Sequence, residues 1–445
     1  MTVGPATRTS SFAPAGTSLT ATPGSGTPMQ RTAPRGSGPK LPPERFRCSP
    51  TRPSEAPLAR RRRRPPPAGA ATGPRGGLPL RIGAPDDSVG GNDLAGAVNA
   101  IYGSRSEGLR EENDQLFTQD TPGVPETAEA GDRFGASLAV GDIDDDGFAD
   151  LAIGAPNEGV PTGLGPDEQD RGEAGLAIVL YGSGGGLSTS RAQAWTQDRP
   201  GVRGPTEEGD RFAEALAMGD FYGDERDDLA VGVPGDSVGG GRDAGAVNVL
   251  YGRRSGLSAG GDQLRTQDTR GIKGVAEAND RFGQALVAAD VSENGRAELI
   301  VGVPGEGVGG SSDAGAVNVM YGRSGGLSSV DELWSQDTRG IKGVAEATDQ
   351  FGATLSVADF DRDGDGDLAI GTPGEDVGGQ NAAGAVNVLY GNPGDGLTAR
   401  ADQLWFQGGG GLKGQAESGR PLRRCPGLWG LRRHRPVRPG HRRTG

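Results

Sequence analysis

Residues 79–419 contain no cysteine and no histidine; Cys48, Cys425, His434 and His441, the only ones in the sequence, fall outside them. That gap excludes a cysteine or histidine nucleophile, a histidine general base and a His/Cys zinc site from the central 341 residues, and leaves no disulfide framework. Aromatic residues make up 5% of the chain and hydrophobic ones 33%, and no apolar run approaches the roughly 18 residues of a membrane-spanning helix. With 82 glycines the composition suits many short strands joined by tight turns.

Basic charge is scarce in the same central stretch, which holds 24 Lys+Arg against 57 Asp+Glu, a difference of −33. Such an acidic surface argues against nucleic acid and anionic membranes as partners. The ends are the opposite. Residues 1–78 carry 13 basic and 2 acidic residues, and residues 420–445 carry 9 arginines and no acid.

What the centre does have is one phrase written four times. GDRFGASLAVGDIDDDGFADLAIGAP, residues 131–156, returns as GDRFAEALAMGDFYGDERDDLAVGVP, NDRFGQALVAADVSENGRAELIVGVP and TDQFGATLSVADFDRDGDGDLAIGTP. Each copy places an acidic loop between two segments that alternate apolar and small residues, as half-buried strands do. Pro85, Pro156, Pro234, Pro304 and Pro373 close the phrases at spacings of 71, 78, 70 and 69 residues. After each comes a Gly-rich loop, a strand-like segment ending at Tyr102, Tyr181, Tyr251, Tyr321 or Tyr390, and a segment such as QLFTQD or AWTQD. Four short strands per unit cannot bury both faces alone, and stacking the copies around an axis predicts an all-β β-propeller; a linear β-solenoid has shorter repeats.

Phe134-Gly135, Phe282-Gly283 and Phe351-Gly352, with Gly83-Ala84-Pro85 and Gly154-Ala155-Pro156, make the chain resemble the FG-GAP repeat family, the propeller module of integrin α subunits. Phe212 departs from the pattern, being followed by Ala213. The expected organisation is a partial unit at 79–130, full units at 131–208, 209–278, 279–347 and 348–419, and basic tails at 1–78 and 420–445. Family members form seven blades, whereas this chain shows four full units and a partial one. Codons permitted for residues 423–445, read one frame over, can spell FGAALASGDFDGTGPSDLATGAPG or something close, so the last tail reads as a frame-shifted next repeat. Residues 1–78 read equally as a disordered tail or as a similar artefact. No secretory signal is visible at the start.

The acidic loops carry the chemistry. Calcium takes six to eight hard oxygens, and alternation presents positions 1, 3 and 5 on one side of a turn. Asp142, Asp144, Asp146 and Asp150 supply carboxylates at positions 1, 3, 5 and 9, with the Phe148 carbonyl at 7; Asp359, Asp361, Asp363 and Asp367 match them, with Asp365 at 7. Crowding four carboxylates costs several kcal/mol without a cation. A third loop, Asp290, Ser292, Asn294, Arg296 and Glu298, keeps an oxygen at each ligand position with two formal charges, and should bind more weakly. The fourth, Asp220, Asp224 and Asp228, puts Tyr222 at position 3 and lacks glycine at 6. Asp and Gly also make good turns without metal, but four loops in phase favour Ca2+ over that reading and over Mg2+.

With filled coordination and no nearby base, such calcium is expected to be structural. The resemblance implies an extracellular or cell-surface, non-enzymatic adhesion or ligand-binding module whose protein or carbohydrate ligand sits on the inter-strand loops. Segments 86–96, 157–175, 235–245, 305–315 and 374–384 vary while their flanks repeat. The alternative is the propeller portion of a secreted carbohydrate-active enzyme, a lyase or hydrolase. The recurrent Phe and Tyr, with Trp195, Trp334 and Trp405, are expected to pack between blades rather than to form a sugar platform.

Overall fold

The computed structural model describes residues 80–104, 108–161, 170–392, 394–409 and 412–419. The expectations for residues 1–78 and 420–445, and for the middle of the 157–175 loop, lie outside them. Blade I is a three-stranded antiparallel sheet of β1 (Leu80–Ala84), β2 (Ala97–Ser104) and β3 (Gly108–Phe117). Blade II has four strands, β4 (Ser137–Gly141), β5 (Asp150–Ala155), β8 (Leu176–Tyr181) and β9 (Ser188–Trp195). Between β5 and β8 its long loop forms a two-residue ribbon, β6 (Val160–Pro161) against β7 (Asp170–Arg171), which accounts for the 78-residue spacing.

Blades III to V repeat the four-stranded meander. They comprise β10 (Ala215–Gly219), β11 (Asp228–Val233), β12 (Ala246–Tyr251) and β13 (Ser258–Arg265); β14 (Ala285–Ala289), β15 (Glu298–Val303), β16 (Ala316–Arg323) and β17 (Gly326–Trp334); and β18 (Thr354–Ala358), β19 (Asp367–Thr372), β20 (Ala385–Asn392) and β21 (Gly396–Trp405). The described residues contain no helix. Within blades II to V the second strand runs antiparallel to the first in the same register, Ser137 facing Gly154 as Ala285 faces Gly302. The first strands then pack on one another in order, β4 against β10, β10 against β14 and β14 against β18. The FG-GAP expectation of four full blades and one partial blade therefore holds.

Burial follows from this stacking. The β5, β11 and β15 strands are buried at every position, because each is flanked within its sheet and covered on both faces by neighbouring blades. The cores lie between blades: Phe212 and Tyr181 share one cluster, and Phe282 and Tyr251 the next. The Tyr181 hydroxyl accepts the Leu257 backbone N–H at 2.8 Å, and Tyr102 accepts that of Leu187 at 3.0 Å, so each phenol ties its blade to the following one. Trp195 is buried in the same core beneath the Arg199 guanidinium, in keeping with packing. At the two ends of the stack this cover stops. Leu80 and Ile82 are 39% and 42% exposed on β1, and Phe360 is 46% exposed where its counterparts Ile143, Phe221 and Val291 are fully buried.

Glycine is required where blades meet. Gly283 donates its N–H to the Gly302 carbonyl at 3.2 Å within blade IV, while a β-carbon on Gly232 of blade III would overlap the Gly283 carbonyl oxygen. Phe-Gly and Gly-x-Pro thus form one contact, in which backbone touches backbone both within and across blades.

Candidate metal centres

Every acidic loop joins the first strand of a blade to the second, and all four share one backbone path. Positions 4 and 6 are left-handed throughout: Asp145 and Gly147, Gly223 and Glu225, Glu293 and Gly295, Arg362 and Gly364. The loop at Asp220 has moved its glycine from position 6 to position 4 and keeps the turn. Position 1 is the anchor. Asp142 accepts the N–H groups of Asp146 and Gly147 at 3.1 and 3.0 Å, and Asp220 accepts those of Gly223, Asp224 and Glu225.

Position 9 begins the second strand and is buried in every loop. Asp150 accepts the Ile143 N–H at 2.9 Å with one oxygen and the Gly182 N–H, across the sheet, at 2.8 Å with the other. Asp228 binds Phe221, Tyr222 and Gly252 in the same way, and Asp367 binds Phe360 and Gly391. These residues therefore staple the loop to the neighbouring hairpin besides any part in metal binding. Burial first, and then the neighbouring acids, push Asp150 up to about 8 and Asp228 to about 7.

Two loops converge oxygens. Asp142, Asp144 and Asp146 bring carboxylate oxygens within 4.8 Å of one another, and so do Asp359, Asp361 and Asp367; among the described residues no other acids do. Asp144 is almost wholly buried. One of its oxygens pairs with Arg191 at 2.9 Å, the guanidinium lying 4.6 Å from the Tyr181 ring centroid, while Oδ1 is buried without a partner. Asp359 Oδ1 is likewise buried and unpartnered. A buried carboxylate oxygen lacking a donor is costly unless a cation meets it, so both loops fit calcium. Asp363 and Asp365, expected at positions 5 and 7, are not among the converged oxygens; Asp363 accepts the Asp365 N–H at 2.9 Å, and burial, then Asp363 and Glu293, push Asp365 up to about 6. Phe148 holds position 7 of the first loop, its N–H given to Asp146.

The other two loops carry their own donors. In the loop at Asp220 the Arg226 guanidinium grips Asp224, with Arg253 4.0 Å away. Arg296 leaves its own loop and packs over Gly223. In the loop at Asp290 the Asn294 amide donates to Ser292 Oγ at 2.7 Å and to Glu298 at 3.1 Å, and Ser292 Oγ also donates to Glu298 at 2.8 Å. A guanidinium or an amide N–H on these oxygens competes with a cation, as Arg191 does at Asp144, and neither loop brings three carboxylates within 4.8 Å of one another. The arginine that matters, Arg226, sits at position 7, where only its backbone carbonyl invites attention in the sequence.

The FG-GAP repeat family profile matches residues 134–180, 282–320 and 351–389. Phosphatidylinositol-glycan-specific phospholipase D of Rattus norvegicus is 34% identical over 112 residues, 25% of this chain and 13% of that protein. Integrin alpha-7 of Rattus norvegicus is 30% identical over 246 residues, 52% of this chain and 18% of that protein. Among solved structures, a rhamnogalacturonan lyase of Bacillus licheniformis aligns with 74% of this chain and 64% of its own at 12% identity and a TM-score of 0.34, too low to carry an argument. The chain thus carries FG-GAP repeats at the three profile-matched stretches, which fall in blades II, IV and V. It spans between 11% and 19% of the length of the curated relatives it matches.

These relatives correct the expectation of a non-enzymatic protein. The repeats are shared with a phospholipase D, an enzyme by name, as well as with integrins. Lack of His and Cys in residues 79–419 bars their chemistry from the repeats themselves, and says nothing against repeats carried by an enzyme.

Proposed function

We propose that the chain is a calcium-stabilised ligand-binding module of a larger extracellular or cell-surface protein. The reading rests on the two carboxylate trios, Asp142/Asp144/Asp146 and Asp359/Asp361/Asp367, each with a buried oxygen that lacks a donor. Bound there, calcium would be held by these side chains and would neutralise their repulsion, fixing the hairpin that leads into each second strand. Millimolar calcium outside cells suits sites built from short exposed loops. Similarity to integrin α subunits supports an adhesive or ligand-presenting role.

The ligand, a protein or a carbohydrate, is assigned to the loops between second and third strands. The 157–175 loop is the strongest candidate, being the longest and the one that adds its own ribbon. Replacing it with the shorter 235–245 sequence should abolish binding on a protein and glycan array while leaving the melting temperature unchanged; retained binding would count against the assignment.

A second reading places the same module within an enzyme, and the similarity to phosphatidylinositol-glycan-specific phospholipase D favours it. Turnover of phosphatidylinositol-glycan substrates or of polysaccharides by the full-length protein would establish it. The module would then recruit substrate, since the repeats offer carboxylates already committed to backbone or metal.

A further inference from the structure

Between successive blades the same pair recurs, buried at three of the four junctions and partly buried at Glu306. Gln119, Gln197, Gln267 and Gln336, each two residues beyond the outer strand of one blade, donate Nε2–H to Glu158, Asp236, Glu306 and Glu375, each two residues beyond the proline that ends the second strand of the next. The separation is 39 residues every time. All four glutamines are almost wholly buried, and in all four the Oε1 oxygen has no partner. An amide oxygen buried in four copies without a donor is unexpected, because such atoms are paired in folded proteins. The donor it lacks is one the opposite carboxyl can supply.

We propose that each pair is a proton-held latch: the carboxyl at residue 158, 236, 306 or 375 is protonated in the folded chain and donates its O–H to the glutamine Oε1. The amide N–H and the acid O–H then form a two-point ring that ties one blade to the next. When the proton leaves to solvent, the ring loses one bond, and an ionised carboxylate remains buried beside an amide oxygen.

The surroundings favour the proton. Glu158 faces Asp132, Glu126 and Glu129; Asp236 faces Glu207; Glu306 faces Asp280 and Glu277; Glu375 faces Asp349, Glu346 and Asp376. Every charged group in these sets is acidic. Burial first, and then these neighbours, push Glu158 up to about 8, Glu306 and Glu375 to about 7 and Asp236 to about 6, against the opposing pull of the glutamine N–H. A proton held more tightly in the folded chain than in the unfolded one stabilises the fold at low pH. That contribution is complete below the ordinary glutamic range and is lost as pH rises through about 6 to 8.

The test uses urea unfolding of the full chain in saturating calcium between pH 5 and 9, with infrared spectra in D2O. For the parent chain the folded-to-unfolded ratio should fall with rising pH by roughly tenfold or more per latch. The infrared spectrum at pD 6.5 should show the carbonyl stretch of protonated carboxylic acid. Glu306→Gln mimics the protonated acid, since its own amide can donate to Gln267. It should flatten the pH dependence by one latch, keep the midpoint at pH 6 and weaken the acid band. The combined Glu158→Gln, Asp236→Asn, Glu306→Gln and Glu375→Gln chain should flatten it further. A Glu306→Gln chain that is destabilised equally at pH 6 and pH 9, with no acid band in the parent, would overturn the proposal and leave water-bridged ionised carboxylates in its place.

Discussion

Gly352 donates its N–H to the Gly371 carbonyl at 3.2 Å, and its own carbonyl oxygen occupies the place that a β-carbon on Gly302 would need. The first contact lies within blade V and the second joins blade IV to it. Gly302→Ala should therefore force the two blades apart and cost about 1–3 kcal/mol, as overpacking does. Urea denaturation would show it; a loss below about 0.5 kcal/mol would mean that the interface adjusts freely.

Ala213 stands where the other blades have the glycine of Phe-Gly, and it is held at φ 71° with its N–H on Gly232. A left-handed alanine costs about 1 kcal/mol relative to glycine. Ala213→Gly is accordingly expected to stabilise the chain by several tenths of a kcal/mol, the gain offset in part by greater freedom of the unfolded state. Thermal unfolding at fixed calcium reads this directly, and destabilisation would contradict it.

Removing the Tyr181 hydroxyl deletes the acceptor for the Leu257 N–H and the donor to Gln193, at 2.8 and 2.5 Å. Tyr181→Phe leaves that N–H unsatisfied between blades and should cost about 1–3 kcal/mol. An exposed phenol would give almost nothing in the same measurement.

Two calcium ions per chain are expected. Asp142→Asn and Asp359→Asn should each remove one ion, counted by equilibrium dialysis, while Asp220→Asn should leave the count unchanged because that loop converges no three carboxylates and Arg226 grips Asp224. A count of four in the parent chain would mean that Arg226 and Asn294 yield to metal.

Much of this architecture is legible in the residues. The 70-residue period, the alternating strands and the Phe and Tyr positions become blades and inter-blade cores because local strand pattern and long-range packing agree here. The two all-carboxylate loops are the two whose oxygens converge. What escapes a linear reading joins residues far apart: the Gln267–Glu306 pair across 39 positions and the Tyr181–Leu257 tie across 76. Neither spacing has a local period, and the repeated TQD segment shows no reason for its glutamine until the next blade is stacked on it. The shifted glycine at position 223 is missed for a related reason, since the turn needs two left-handed residues and accepts glycine at either.

The most direct test of calcium as a structural ion is a pair of melting curves for the full chain, one in millimolar calcium and one in excess chelator. Calcium bound to the folded chain alone raises stability by mass action, so the account predicts a higher midpoint with calcium, a difference that Asp142→Asn combined with Asp359→Asn abolishes. Identical midpoints for the parent chain in calcium and in chelator would contradict it.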